Sequence, residues 1–283
     1  MSRLETVLKD FLLREKLSLY SFLSLKDCTV LRPYLLEKAG ISPENGCVLM
    51  LAVPYLSEKA LAAERNVSLY AVAKDYHLYF GRLWGTLLPL LEKEFPGYHF
   101  AGFSDHSPID EIGAAAMAGL GILGDNHLLI TREYGSFIFL GELITDYPAN
   151  VQEKAPVGHC PSCRSCRAAC PIHFSGNEIC RSSLSQKKGK LRDEEAEIQS
   201  SSQLIWGCDI CQLSCPLNQK AIGNGTAFSP IPFFGEDLLP YLTEEMVRNM
   251  SEEEFRSRAY AWRGRDVLLR NLRLNTEKGG PAC

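Results

Sequence analysis

The stretch HCPSCRSCRAACPIHF, running from His159 to Phe174, sets Cys160, Cys163, Cys166 and Cys170 two, two and three residues apart and follows the last with Pro171. Four thiols so close together need a common purpose, and the compartment decides which. The opening MSRLETVLKDFLLREKLSLYSFLSL carries a charge every few positions and no continuous apolar segment, so it reads as neither a signal peptide nor a membrane span. No other segment reaches the roughly 18 uninterrupted apolar residues that a span needs. The expectation is a cytoplasmic chain without a membrane partner. In that reducing setting, clustered thiols are metal ligands or redox groups rather than a disulfide framework. Of eleven cysteines, eight fall between Cys160 and Cys215; Cys28, Cys47 and Cys283 stand singly and read as core or tail thiols.

The CxxCxxCxxxCP spacing is the one with which bacterial ferredoxins hold a [4Fe–4S] cubane. Two-residue gaps let three thiolates reach three irons from one tight loop, while the fourth points away to a neighbouring cluster. A second motif is therefore required, and Cys208-x2-Cys211-x3-Cys215-Pro216 supplies it. Ile205 stands where that motif would carry a further cysteine, and Cys180 upstream completes the count of eight. The crossed assignment gives Cys160, Cys163, Cys166 and Cys215 to one cluster, and Cys170, Cys180, Cys208 and Cys211 to the other. Zinc also uses CxxC pairs, but a tetrahedral site typically takes two separated pairs rather than this run. Two adjacent cubanes make a one-electron conduit, and the residues before them are expected to house what the electrons are for.

With 283 residues, 46% hydrophobic and 23% charged, the chain reads as a folded protein of one large or two small domains. A formal charge of −4 gives no global attraction to nucleic acid, which leaves any RNA partner to a local basic face. Residues 1 to about 40 read as helical, with Leu4, Val7, Leu8, Phe11 and Leu12 on one face. GCVLMLAVPYL (46–56) reads as a buried strand ended by Pro54. SLYAVAKDYHLYFGRLWGTLLPLLEKEF (68–95) reads as one long amphipathic helix, and YHFAGFSD (98–105) as a second strand. A small-residue helix, a glycine-rich turn and two strand-like runs, HLLIT (127–131) and SFIFLGELIT (136–145), follow. KKGKLRDEEAE (187–197) reads as an exposed loop or helix start, EEEFRSRAYAWRGRDVLLRNLRL (252–274) as helical and TEKGGPAC (276–283) as a frayed end.

Neither a P-loop nor a nucleophile elbow occurs in the first 150 residues. Gly119-x-Gly121-x-x-Gly124 matches GxGxxG but follows a helix rather than a strand, so it reads as a tight turn. Asp75 and His77, Asp105 and His106, and Asn126 and His127 end apolar runs, where caps and turn residues also belong. Asp105 ends a strand just before Pro108 and is the better candidate acid, since partial burial raises a carboxyl pKa toward neutrality.

On LYAVAKDYH (69–77), SDHSPIDE (104–111), AGLGILGDNHLLI (118–130), GSFIFLGELITD (135–146), the two cysteine motifs, the lone Cys180 and SEEEFRSRAYAWRGRDVLLRNL (251–272), the chain resembles the epoxyqueuosine reductase family. These are cobalamin- and iron–sulfur-dependent enzymes of tRNA modification, related to reductive dehalogenases. The likeness is to a short form, without the helical repeats that follow in many members. It implies an α+β class of nitroreductase or reductive-dehalogenase type: a cobalamin and substrate domain over 1–150, a ferredoxin-like two-cluster module over 151–225 and a helical segment over 226–283. It implies Asp105 as the acid that protonates the epoxide oxygen, and Tyr70, Asp75, Asp105, Asn126, His127, Ser136 and Asp209 as cofactor-binding residues. It also implies tRNA as substrate and a flavodoxin- or ferredoxin-type electron donor. Two other readings stay open: the same machinery on a small epoxide or halide, and a non-catalytic electron-transfer or corrinoid-binding protein.

Overall fold

Every residue from Cys47 to Pro54 is buried, and the strand stops at the proline. In the computed structural model, which describes residues 2–151, 153–172 and 180–277, this strand lies inside the sheet of the first of two units. That unit takes the chain through Tyr55 together with His77–Cys163. It holds strands β1 (Tyr20–Ser24), β2 (Cys47–Pro54), β3 (Phe100–Phe103), β4 (Ile122–Leu123), β5 (Leu129–Ile130) and β6 (Ile138–Thr145). Four form one antiparallel sheet in the order β1-β2-β6-β3, while β4 and β5 pair as a separate hairpin.

Helices α1 (Arg3–Arg14), α2 (Pro33–Ala39), α3 (Tyr76–Glu94) and α4 (Glu111–Met117) accompany the sheet. A capping box between Ser2 and Glu5 starts α1. Ala114, Ala115 and Ala116 keep α4 slim enough to share a core with Val48, Met50, Ala52 and Ile144 on one sheet face. On the opposite face Gly141 of β6 and Gly102 of β3 lie under α3, where any side chain would strike the rings of Phe80 and Trp84. The second unit takes Leu56–Tyr76 and the chain from Arg164 onward. It is built of short helices, among them Ser165–Ala169, Ile210–Leu213 and Pro216–Gly223, and the longer Arg265–Glu277.

The class is mixed helix and sheet, and three local expectations need correcting. Tyr20–Ser24, inside the segment read as helical, is a strand because it pairs residue for residue with Leu51–Cys47 of β2. Residues 68–75 are not part of the long helix, which begins at Tyr76. The segment makes a short 3-10 turn at Leu69–Ala71, and the donors at its two ends go to distant acceptors: Ser68 N–H to Trp206 O at 2.8 Å and Asp75 N–H to Ser257 O at 2.8 Å. The C-terminal helical stretch breaks at Gly264, whose φ of 88° no ordinary helix residue adopts. The segment 187–197 does contain a helix start, at Asp193. Cys283, His173 and Phe174 lie outside the described residues. Among the described residues no helix is long and apolar enough to cross a membrane.

Gly141→Ala tests the close approach of α3. The added methyl has to displace the Phe80 ring, so we expect a loss of about 1–3 kcal/mol in denaturant unfolding, with secondary structure retained.

Candidate active site

The chain leaves β3 and turns at Asp105, which takes a φ of 62°, a region that aspartate visits more readily than most residues with a side chain. Its backbone N–H donates to Glu111 Oε1 at 3.1 Å, and its Oδ2 lies 3.5 Å from His77 Nε2 near the start of α3. The Asp105 side chain is 60% exposed, at the rim of a cleft of ≈ 240 Å³. Glu111 and Ser136 also line this cleft, with Leu128, Ile138 and Phe139 among its apolar walls. The volume falls short of the roughly 300–1,000 Å³ that drug-sized ligands occupy, so this cleft accepts a fragment of a ligand.

The burial expected of Asp105 falls instead on two neighbours. Glu111 is pushed up to about 7, chiefly by burial and against its contacts with Glu142 and the Asp105 N–H. Glu142, fully buried on β6, is raised well above the carboxylate range by burial and then by the charge of Glu111. Neither stood out in the sequence. The available signal was one acid inside the apolar run SFIFLGELIT.

GLGILGDN leads from α4 into the β4–β5 hairpin, an order that gives no strand–turn–helix phosphate site. Gly124 N–H donates to Leu128 O at 2.9 Å, His127 N–H to Gly124 O at 2.9 Å, and His127 takes a φ of 60°. Asn126 is buried in this turn; its Oδ1 accepts from Leu128 N–H at 3.4 Å while its Nδ2 has no partner. An orphaned buried amide donor fits a polar ligand group. Ser136 is likewise buried.

In the second unit, Asp209 is 1% exposed and spent on internal donors. It pairs with Arg65 at 2.8 Å and accepts from Ser68 Oγ and from Leu69 N–H at 3.0 Å. Tyr70, half-buried, accepts from Trp206 Nε1 at 2.8 Å, and Asp75 is anchored through its backbone at Ser257.

The described cysteines form no disulfide. Cys160 and Cys163 lie in the first unit and the other six of the two motifs in the second. Cys160 Sγ accepts from Asp125 N–H at 3.3 Å. Helices Ser165–Ala169 and Ile210–Leu213, which carry Cys166 and Cys211, pack on one another. Arg181 is fully buried, and its guanidinium donates to the carbonyls of Gln199, Leu204 and Gly207. Burial lowers its pKa, opposed first by Cys208 and then by Cys180 and Asp209. A buried cation facing two thiols fits an anionic thiolate centre. Among the described residues, no three His, Cys, Asp or Glu side chains converge on one metal position. The donor set is right in kind, and its convergence is not part of this geometry.

No protein-family model matches the chain. Epoxyqueuosine reductase from Synechocystis sp. is 31% identical over 222 residues, which cover 76% of this chain and 75% of that protein. The chain belongs to the epoxyqueuosine reductase family. It is thereby an enzyme of the oxidoreductase class. The Gloeobacter violaceus reductase is 29% identical, with 83% of this chain and 76% of that protein covered. The chain spans less of others, 58% of the Lactococcus garvieae reductase and 62% of that from Listeria monocytogenes. Solved epoxyqueuosine reductases share the fold. The Streptococcus thermophilus structure gives a TM-score of 0.76 at 23% identity, covering 97% of this chain and 81% of that one. One at 0.71 and 24%, covering 96% and 81%, holds an epoxyqueuosine-modified tRNA-Tyr stem loop. The Bacillus subtilis structure at 0.70 and 24%, covering 96% and 82%, has its catalytic aspartate loop swung out of the active site.

Asp209→Ala tests the hub of the second unit. Removing the carboxylate strands Arg65 and the Ser68–Leu69 donors, so we expect a loss of about 3–5 kcal/mol in chemical unfolding.

Proposed function

We propose that this enzyme reduces epoxyqueuosine in tRNA to queuosine, with Asp105 as the proton donor. The observation that carries the reading is Asp105 itself: a family D-x-x-P aspartate, held on a positive-φ turn and exposed at the mouth of a polar-tipped cleft. The relatives' shared name, the stem loop held by one solved relative and the catalytic aspartate loop of another, swung out of its active site, support it. Removal of the epoxide oxygen as water takes two electrons and two protons. Asp105 Oδ2 holds one of those protons, with His77 Nε2 beside it to fix its orientation. The apolar wall of Leu128, Ile138 and Phe139 keeps bulk water from the reacting group.

Cobalamin supplies the low-valent metal for such chemistry, and iron–sulfur clusters deliver its electrons singly. We assign Cys160, Cys163, Cys166 and Cys215 to one [4Fe–4S] cluster and Cys170, Cys180, Cys208 and Cys211 to the other, in a ferredoxin-like module. The all-thiol donor set, the Asp125 N–H on Cys160 and the buried Arg181 support this. Asn126 is the first residue we assign to cobalamin, through its unpartnered amide, and we assign His127, Ser136, Tyr70 and Asp75 to the same cofactor. Asp209 serves by fixing the backbone at Leu69, next to Tyr70. A flavodoxin- or ferredoxin-type protein is the proposed electron donor.

Two measurements decide this. Asp105→Asn should lower turnover of epoxyqueuosine-bearing tRNA by about 10²–10⁴ while iron and cobalamin loading stay unchanged; full turnover would remove Asp105 as the acid. Anaerobic reconstitution should give about eight iron and eight sulfide per chain, and about four would end the crossed assignment.

A further inference from the structure

We propose that Glu111 and Glu142 form a carboxyl pair that carries one proton between them, and that Glu111 is the positioning residue latching the Asp105 turn onto α4. The proposal rests on Asp105 as the acid only where it concerns turnover.

The register of β6 creates the pair. Glu142 shares its sheet face with Leu140 and Ile144, the face covered by α4. There it is fully buried, neither of its oxygens has a partner in hydrogen-bond geometry, and the groups it meets are Ser107 and Glu111. Ser107 Oγ accepts from Ile109 N–H at 3.1 Å and carries a single hydroxyl proton, which cannot serve both Glu142 oxygens. The ionisable groups facing the two carboxyls are Asp105, Cys28 and Arg32. Arg32 faces Glu111 and donates to Ser107 O at 2.7 Å rather than to either Glu142 oxygen. A buried carboxylate without a cation, against a second carboxylate, keeps a proton.

With the proton held at Glu142, Glu111 is the member left to accept, and Oε1 receives the Asp105 N–H at 3.1 Å. Asp105 takes a φ of 62°, a conformation that aspartate adopts as a single residue with local hydrogen-bond support, and Glu111 Oε1 supplies such support from outside the turn. This hydrogen bond ties the acid's own backbone to the first residue of a helix packed on the sheet.

Infrared spectroscopy and hydrogen exchange on the full chain test both parts. At mildly alkaline pH, where ordinary carboxyls are ionised, the wild type should show a carboxylic-acid carbonyl band that Glu142→Gln removes. Absence of the band, or its survival in Glu142→Gln, overturns the pair. Glu111→Ala should speed exchange of the Asp105 amide roughly tenfold and lower kcat at unchanged KM. Glu111→Gln, which keeps an acceptor oxygen, should restore both. Unchanged exchange in Glu111→Ala overturns the latch; if that variant does not fold, the band and Glu111→Gln still decide, since faster exchange in Glu111→Gln, which keeps the acceptor oxygen, overturns it as well. Asp105→Asn should lose turnover and keep its amide protected. Turnover retained with the amide protected would refute the acid and leave the latch standing.

Discussion

The register of β6 against β2 is the constraint on which the first unit depends. Side chains alternate along a strand, so Gly141 and Glu142 are sent to opposite faces. Gly141 makes room for the Phe80 ring of α3, and Glu142 enters the face covered by α4. A slip of one residue would place a carboxylate under the aromatic ring and a glycine beneath α4. Both faces would then fail together: one would bury an acid against Phe80, the other would lose the group behind Glu111. The position of the Asp105 turn, tied to α4 through Glu111, follows from that alternation.

The second unit solves a different problem. Its helices are short, which leaves many backbone carbonyls without helical donors. Buried polar side chains supply them. Arg181 serves carbonyls at 199, 204 and 207, and Asn271 Nδ2 serves Ser185 O and Ile205 O at 2.8 and 2.7 Å. Asn66 both donates to and accepts from the backbone of Leu242. Each such group is costly to bury alone and stabilising once satisfied, so the loops around Cys180 and Cys208 are fixed by side chains rather than by regular structure. The same arrangement puts the Arg181 charge against those two thiols.

What could be read beforehand was what depends on local pattern. The apolar run ending at Pro54 became β2, the run from Ile138 became β6, and the alanines of α4 lie where a slim helix is needed. Pairing across the chain was not readable in this way. β1 owes its strand form to β2, and residues 68–75 owe their irregular path to Trp206, Asp209 and Ser257, all remote in sequence. Of the candidate site, the turn at Asp105 and the buried Asn126 were visible as polar ends of apolar runs. Glu142 was masked by its context, because an acid within a strand-like run ordinarily reads as an outward residue; burial is a tertiary property.

The geometry also separates a latch from a proton relay. A relay needs hydrogen bonds linking the carboxyl oxygens in series to the acid. The bond from Asp105 to Glu111 runs through the Asp105 backbone N–H, which delivers no proton to Oδ2. Glu142 is fully buried and exchanges no proton with solvent on its own. The Asp105 carboxyl, 60% exposed, is instead open to solvent. The buried pair, as proposed, therefore acts on the position of the Asp105 turn and not on the supply of protons to its carboxyl.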